Sequence, residues 1–174
     1  MSISVADTVN RVCRFECRHL VITGGEPLMQ QAALAPLTAE LNQKGFYCEV
    51  ETNGTIAPSP DLVDAVSQWN VSPKLANSDL SRDRRIVSSA LTAFRDLPNA
   101  YFKFVMANLD DGDEVCSIVE NFDLAKNRVI LMPKGVTRQI VLENSEWVAD
   151  LSMRHGFRFS TRLHVLLWGD ERGR

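Results

Sequence analysis

No apolar run in this 174-residue chain approaches the ~20 residues a membrane-spanning helix needs; the apolar stretch within His164 to Trp168 is far shorter. Positive charge is not in excess either: 19 Lys and Arg stand against 22 Asp and Glu, a formal net charge of -3. Nucleic-acid readers carry clustered basic charge, so neither a nucleic-acid nor a membrane partner is expected. The opening MSISVADTVN has no basic stretch followed by an apolar one, so no signal peptide is expected and the chain is placed in the cytoplasm. Cysteine is sparse: Cys13, Cys17, Cys48 and Cys116 are scattered through a chain of ordinary composition. Such spacing fits reduced thiols rather than a disulfide framework. The three histidines, His19, His155 and His164, form no metal-ligand pattern. A zinc site built from Cys13, Cys17 and His19 matches none of the usual spacings. Repeats, low-complexity segments and linkers are lacking, so 1–174 reads as one domain.

What is present is an alternation of strand and helix patterns. Ser4, with Asp7 three residues later, caps a first helix carrying Val5, Val9 and Val12. A strand over 19–23 follows, whose contiguous Leu20, Val21 and Ile22 suggest burial on both faces. A helical stripe of Ala33, Leu34, Leu37 and Leu41 ends at Gly45. Further strands are expected over 46–51, 69–72, 101–106 and 128–132, separated by helical faces at 62–66, 86–94 and 115–122. Thr137 caps a last helix, and the tail from Phe157 to Trp168 looks extended. Strand-helix alternation of this kind gives right-handed β-α units and a parallel sheet. Five strands and a tail are short of the eight in a closed barrel. The expected fold is therefore α/β: a partial, open β/α barrel of parallel strands with outer helices. Because the chain opens on a helix, the strand at His19 lacks an upstream neighbour, and the first strand of the sheet is expected to be missing.

Four strings end or interrupt these strands, and in such folds ligands bind beyond the carboxyl ends of the strands. Gly24-Gly25-Glu26-Pro27 offers two residues suited to close backbone approach and a carboxylate suited to an ammonium group. It also reads as a plain strand-to-helix turn with Pro27 in the first helical turn. Glu51-Thr52-Asn53-Gly54-Thr55 contains an ordinary Asn-Gly turn signal, yet Glu51 ends an apolar run, where an unpaired carboxylate is costly. Ser72-Pro73-Lys74 supplies a cation for a carboxylate, or a solvated loop lysine. Lys103 stands between Phe102 and Phe104 in a strand expected to be buried, where lysine is rare unless paired. It is expected to point into the barrel mouth.

Together GGEPLMQ, VETNGT, VSPK, KFV, LMPKG and the terminal TRLHVLLWGDERG resemble the 7-carboxy-7-deazaguanine synthase family of radical S-adenosylmethionine (SAM) enzymes, from about Leu20 to Gly173. The resemblance implies that Glu26, with the Gly24-Gly25 backbone, holds the methionyl ammonium of SAM. It implies that Thr52, Asn53, Ser72 and Lys74 line the SAM site, with Lys74 toward the carboxylate. Lys103, Arg162 and His164 are placed loosely on the substrate or dimer side. The family converts 6-carboxy-5,6,7,8-tetrahydropterin to 7-carboxy-7-deazaguanine, toward queuosine-type bases, using a [4Fe-4S] cluster and Mg²⁺, and the resemblance suggests a homodimer. Two departures stand out. Lys134 sits where an acidic residue is expected. The family's three-cysteine loop, well before GGEP, has no counterpart: only Cys13 and Cys17 precede it, and they read as two cysteines on one helix face. Cys48 and Cys116 read as core residues.

The chain therefore reads as a truncated member of that family, inactive by itself in radical chemistry. Two other readings stay open. One is a non-catalytic fragment that binds SAM or a protein partner, whose exposed strand edge favours pairing. The other is a Schiff-base aldolase using Lys103 or Lys74.

Overall fold

The computed structural model describes residues 3–169 and residue 171. Asp170, Arg172 and Gly173 of the terminal motif lie outside the described residues. The described chain forms two compact units: residues up to Val71 with Val87–Ala100, and Ser72–Ile86 with Tyr101 onward.

The first unit opens on helix α1 (Val5–Val12), which starts where Ser4 caps it. The Ser4 hydroxyl accepts from the Asp7 N–H at 3.1 Å and donates to the Asp7 carboxylate at 2.7 Å. Strand β1 (His19–Ile22), helix α2 (Gln31–Gln43), strand β2 (Tyr47–Thr52), helix α3 (Pro60–Ala65), strand β3 (Gln68–Val71) and, from the later segment, helix α5 (Ser88–Arg95) complete it. The three strands pair parallel, β2 in the centre, with Val50 opposite Ile22 on one side and Trp69 on the other. Alternate residues of a strand face opposite sides. Cys48 and Val50 of β2 and Trp69 and Val71 of β3 are fully buried, and the Trp69 ring meets Phe94 of α5 at 5.3 Å between centroids. Val9, Leu41, Phe46 and Cys48 form one apolar cluster against which Leu20 and Leu37 pack.

The other face of this sheet is polar. His19 Nε2 lies 2.7 Å from Glu49 Oε2, and Asn70 Nδ2 donates to the second Glu49 oxygen. The expectation that the strand at His19 is buried on both faces is corrected: His19 and Val21 are exposed. Among the described residues β1 has one strand partner, so an edge position keeps it open despite its apolar composition.

The second unit contains the short helix α4 (Arg82–Arg85), strand β4 (Ala100–Met106), helix α6 (Asp110–Asn121), strand β5 (Val129–Pro133), helix α7 (Arg138–His155), strand β6 (Arg158–Phe159) and helix α8 (Leu163–Trp168). β5 pairs parallel with β4 and with β6. Phe102, Phe104 and Met106 of β4, and Val129 and Leu131 of β5, are completely buried. Thr137 caps α7 by accepting the Ile140 N–H at 3.3 Å, and Gly156 ends it at φ 74°, where the absence of a Cβ removes the steric penalty. The expected extended tail is corrected in its second half. After β6, Val165 and Leu166 N–H both bond the Arg162 carbonyl and close a helical turn; a short apolar run such as HVLLW reads equally as strand or helix.

The α/β class is what both units show. Six strands among the described residues, all in parallel pairs where paired within a unit, are fewer than the eight of a closed barrel.

Gly135, between β5 and α7, marks the tightest junction of the second unit. A Cβ there meets Val141 Cγ2 at 2.8 Å and the Val141 nitrogen at 3.0 Å. Because backbone cannot step aside, Gly135→Ala is expected to destabilise the protein by about 1–3 kcal/mol, as overpacking does. Urea denaturation checks this; an unchanged midpoint shows that the junction yields.

Candidate functional site

Both glycines after β1 adopt positive φ, 97° at Gly24 and 54° at Gly25. A Cβ on either meets no atom within 4 Å, so it is backbone conformation rather than crowding that calls for glycine here. The turn they form is open, and it delivers the chain to Glu26, N-cap of the 3-10 turn Pro27–Gln30. Three donors converge on the half-buried Glu26 carboxylate. Oε1 accepts from the Leu28 N–H at 3.0 Å and the Thr52 hydroxyl at 2.8 Å, and Oε2 accepts from the Asn53 N–H at 2.8 Å. A carboxylate has about four lone-pair positions, so one remains on Oε2 for a ligand. The structure thus joins two of the four strings, GGEP and ETNGT, through one side chain.

The Thr-Asn-Gly turn is itself fixed. Thr52 accepts the Gly54 N–H at 3.2 Å, and Asn53 Oδ1 accepts both the N–H and the hydroxyl of Thr55 at 2.9 and 2.6 Å. Glu51 accepts from the Thr23 hydroxyl at 3.3 Å.

In the second unit the Ser72-Pro73-Lys74 segment leaves Ser72 half-buried, Pro73 buried and Lys74 exposed. Its backbone is pinned by residues that the motifs did not mark. Arg85, 7% exposed, pairs with Glu114 and donates to the Lys74 carbonyl at 3.2 Å. The second Glu114 oxygen accepts the Ala76 N–H at 2.8 Å. Asn77 Nδ2 donates to Asp111 Oδ2 at 2.8 Å, and that same oxygen accepts the Ala107 N–H at 2.6 Å and the Asn108 N–H at 3.1 Å. In the sequence Arg85 sits in a charged RDRR run and Asp111 in LDDGDE, neither of which belongs to a motif singled out above.

The remaining candidates are dispersed within this unit. Lys103 is half-buried on β4, opposite Ile130. Arg162 donates to the Gly135 carbonyl at 2.7 Å, which ties the segment after β6 to the turn after β5. His164 is exposed on α8. Lys134 lines a cavity of about 290 Å³ with Ala107, Gly135, Val136, Ile140 and Asn144.

The cysteines differ from their expected placement. Cys13 is the C-cap of α1 and Cys17 lies beyond the helix, exposed, its thiol donating to the His19 carbonyl at 3.6 Å; they are not two cysteines on one helix face, because α1 has already ended. Cys48 is core, as expected. Cys116 is half-buried, with Sγ 3.5 Å from His155 Nδ1. Burial pushes both of these thiols up, and Asp113 and Glu120 add to the effect at Cys116. Thiolate is thus disfavoured at both. Among the described residues no three His, Cys, Asp or Glu side chains are grouped to hold a metal ion. An iron-sulfur cluster takes three or four thiolates, and the residues present do not fit one. At Glu26 an open glycine turn stands beside a carboxylate with one acceptor position left, an arrangement able to take an ammonium group.

No family model matches the chain. It is 38% identical over 158 residues to the 7-carboxy-7-deazaguanine synthase of Pyrobaculum aerophilum, covering 90% of this chain and 68% of that protein. The enzyme of the same name from Halobacterium salinarum is 35% identical over 187 aligned positions, covering 97% of this chain and 72% of the relative. Among solved structures, QueE from Escherichia coli superposes with a TM-score of 0.69 at 25% identity, over 92% of this chain and 64% of that one. The chain thus spans about two thirds of the length of these relatives. It belongs to the 7-carboxy-7-deazaguanine synthase family of the radical SAM superfamily.

Proposed function

We propose that this chain binds SAM by its amino-acid end and serves the formation of 7-carboxy-7-deazaguanine from 6-carboxy-5,6,7,8-tetrahydropterin. The observation that carries the reading is the Glu26 carboxylate, held by Leu28, Thr52 and Asn53 beside the open Gly24-Gly25 turn. Glu26 and the adjoining backbone take the ammonium, and Asn53 serves the cofactor beside them. Lys103, Arg162 and His164 are assigned to the pterin side. When bound, SAM supplies the adenosyl group from which the family's radical arises. This chain contributes recognition and orientation of that cofactor; no cluster-dependent step is assigned to it, since Cys13, Cys17, Cys48 and Cys116 provide no cluster site.

Anaerobic reconstitution with iron and sulfide, followed by reduction and SAM, tests the division. Iron well below the about four atoms of a complete cluster, with no 5′-deoxyadenosine formed, is expected. Stoichiometric iron together with 5′-deoxyadenosine contradicts it.

A further inference from the structure

We propose that Thr52 is a positioning residue for Glu26 and not a contact to the ligand; this rests on the reading of Glu26 as the ammonium acceptor. Thr52 is 3% exposed at the end of β2. A hydroxyl has one proton to give, and this one goes to Glu26 Oε1 at 2.8 Å, while a lone pair receives the Gly54 N–H at 3.2 Å. Its proton is committed and the residue is 3% exposed, which leaves almost no surface through which a ligand could reach it. What it does is join two turns 26 residues apart in sequence.

The other two donors to Glu26 are backbone N–H groups, one from its own turn and one from the neighbouring turn. Removing the hydroxyl leaves Oε1 with the Leu28 N–H alone, and the flexible glutamate side chain gains freedom about its own turn. A charged contact needs its partner fixed to within roughly 0.5 Å. Thr52 therefore sets the direction of the one acceptor position left on Glu26 Oε2. The ligand class this favours is one that presents an ammonium group to Glu26.

The test compares Thr52→Val, which keeps the shape and removes the donor, with Thr52→Ser, which keeps the donor. S-adenosylhomocysteine and 5′-methylthioadenosine, which lacks the amino-acid end, are titrated by calorimetry. Thr52→Val is expected to weaken S-adenosylhomocysteine by about tenfold, the loss of one charge-assisted hydrogen bond, with 5′-methylthioadenosine unchanged and Thr52→Ser close to wild type. Wild-type binding of S-adenosylhomocysteine by Thr52→Val overturns the inference, and so does equal weakening of both ligands. A wild-type chain that binds both ligands alike, or neither, instead defeats the reading of Glu26. Amide hydrogen exchange at Asn53 then still decides on Thr52: faster exchange in Thr52→Val supports its hold on Glu26, and an unchanged rate overturns it.

Discussion

Replacing Glu26 by alanine is expected to weaken S-adenosylhomocysteine binding by about a hundredfold, with 5′-methylthioadenosine binding unchanged. The magnitude follows from two losses. The ammonium loses a charged acceptor, worth about 1.5–3 kcal/mol, and each ~1.4 kcal/mol is tenfold in affinity. In addition, the N–H groups of Leu28 and Asn53 and the Thr52 hydroxyl lose the acceptor that organises them. Glu26→Gln, which keeps the shape but not the charge, is expected to fall between wild type and Glu26→Ala. Titration calorimetry reads both variants. Undiminished S-adenosylhomocysteine affinity in Glu26→Ala removes the ammonium assignment, and parallel loss of 5′-methylthioadenosine shows that the turn has merely collapsed.

The second large effect is on stability and belongs to the second unit. Arg85→Met leaves the Glu114 carboxylate mostly buried without its cation, and strips a donor from the Lys74 and Leu80 carbonyls. Breaking a buried pair from one side costs about 3–5 kcal/mol. For a chain of this size that lowers the melting temperature by on the order of 10 °C. Removing both charges, in Arg85→Met with Glu114→Leu, is expected to recover only part of the loss, because the uncompensated charge is gone but the Ala76 N–H loses its acceptor. Thermal unfolding followed by circular dichroism distinguishes the cases. A single variant melting within about 2 °C of wild type, or a double variant less stable than the single, shows that the pair does not pin the Ser-Pro-Lys segment.

The legible parts of the sequence were those where local chemistry and tertiary environment agree. Thr137 opens α7 and Gly45, at positive φ, follows the end of α2, because capping and left-handed backbone are local matters. Phe46, Cys48 and Val50 alternate into the core because the sheet has one buried side there. GGEP and ETNGT stood out as separate signals, but nothing local says that Glu26 accepts from Thr52; a hydrogen bond spanning 26 residues is written only in the fold. Arg85, Glu114, Asn77 and Asp111 were missed for a related reason: a polar or charged residue gives no sign of burial until its partner, 29 or 34 positions away, is known. The exposed β1 and the helical tail were misread because apolar content alone distinguishes neither an edge strand from a central one nor a short helix from a strand.

The most direct test is the affinity of the iron-free wild-type chain for S-adenosylhomocysteine compared with 5′-methylthioadenosine. If Glu26 recognises the amino-acid end, S-adenosylhomocysteine binds at least about tenfold more tightly, one charged hydrogen bond or more. Equal affinities, or no binding of S-adenosylhomocysteine at all, contradict the account.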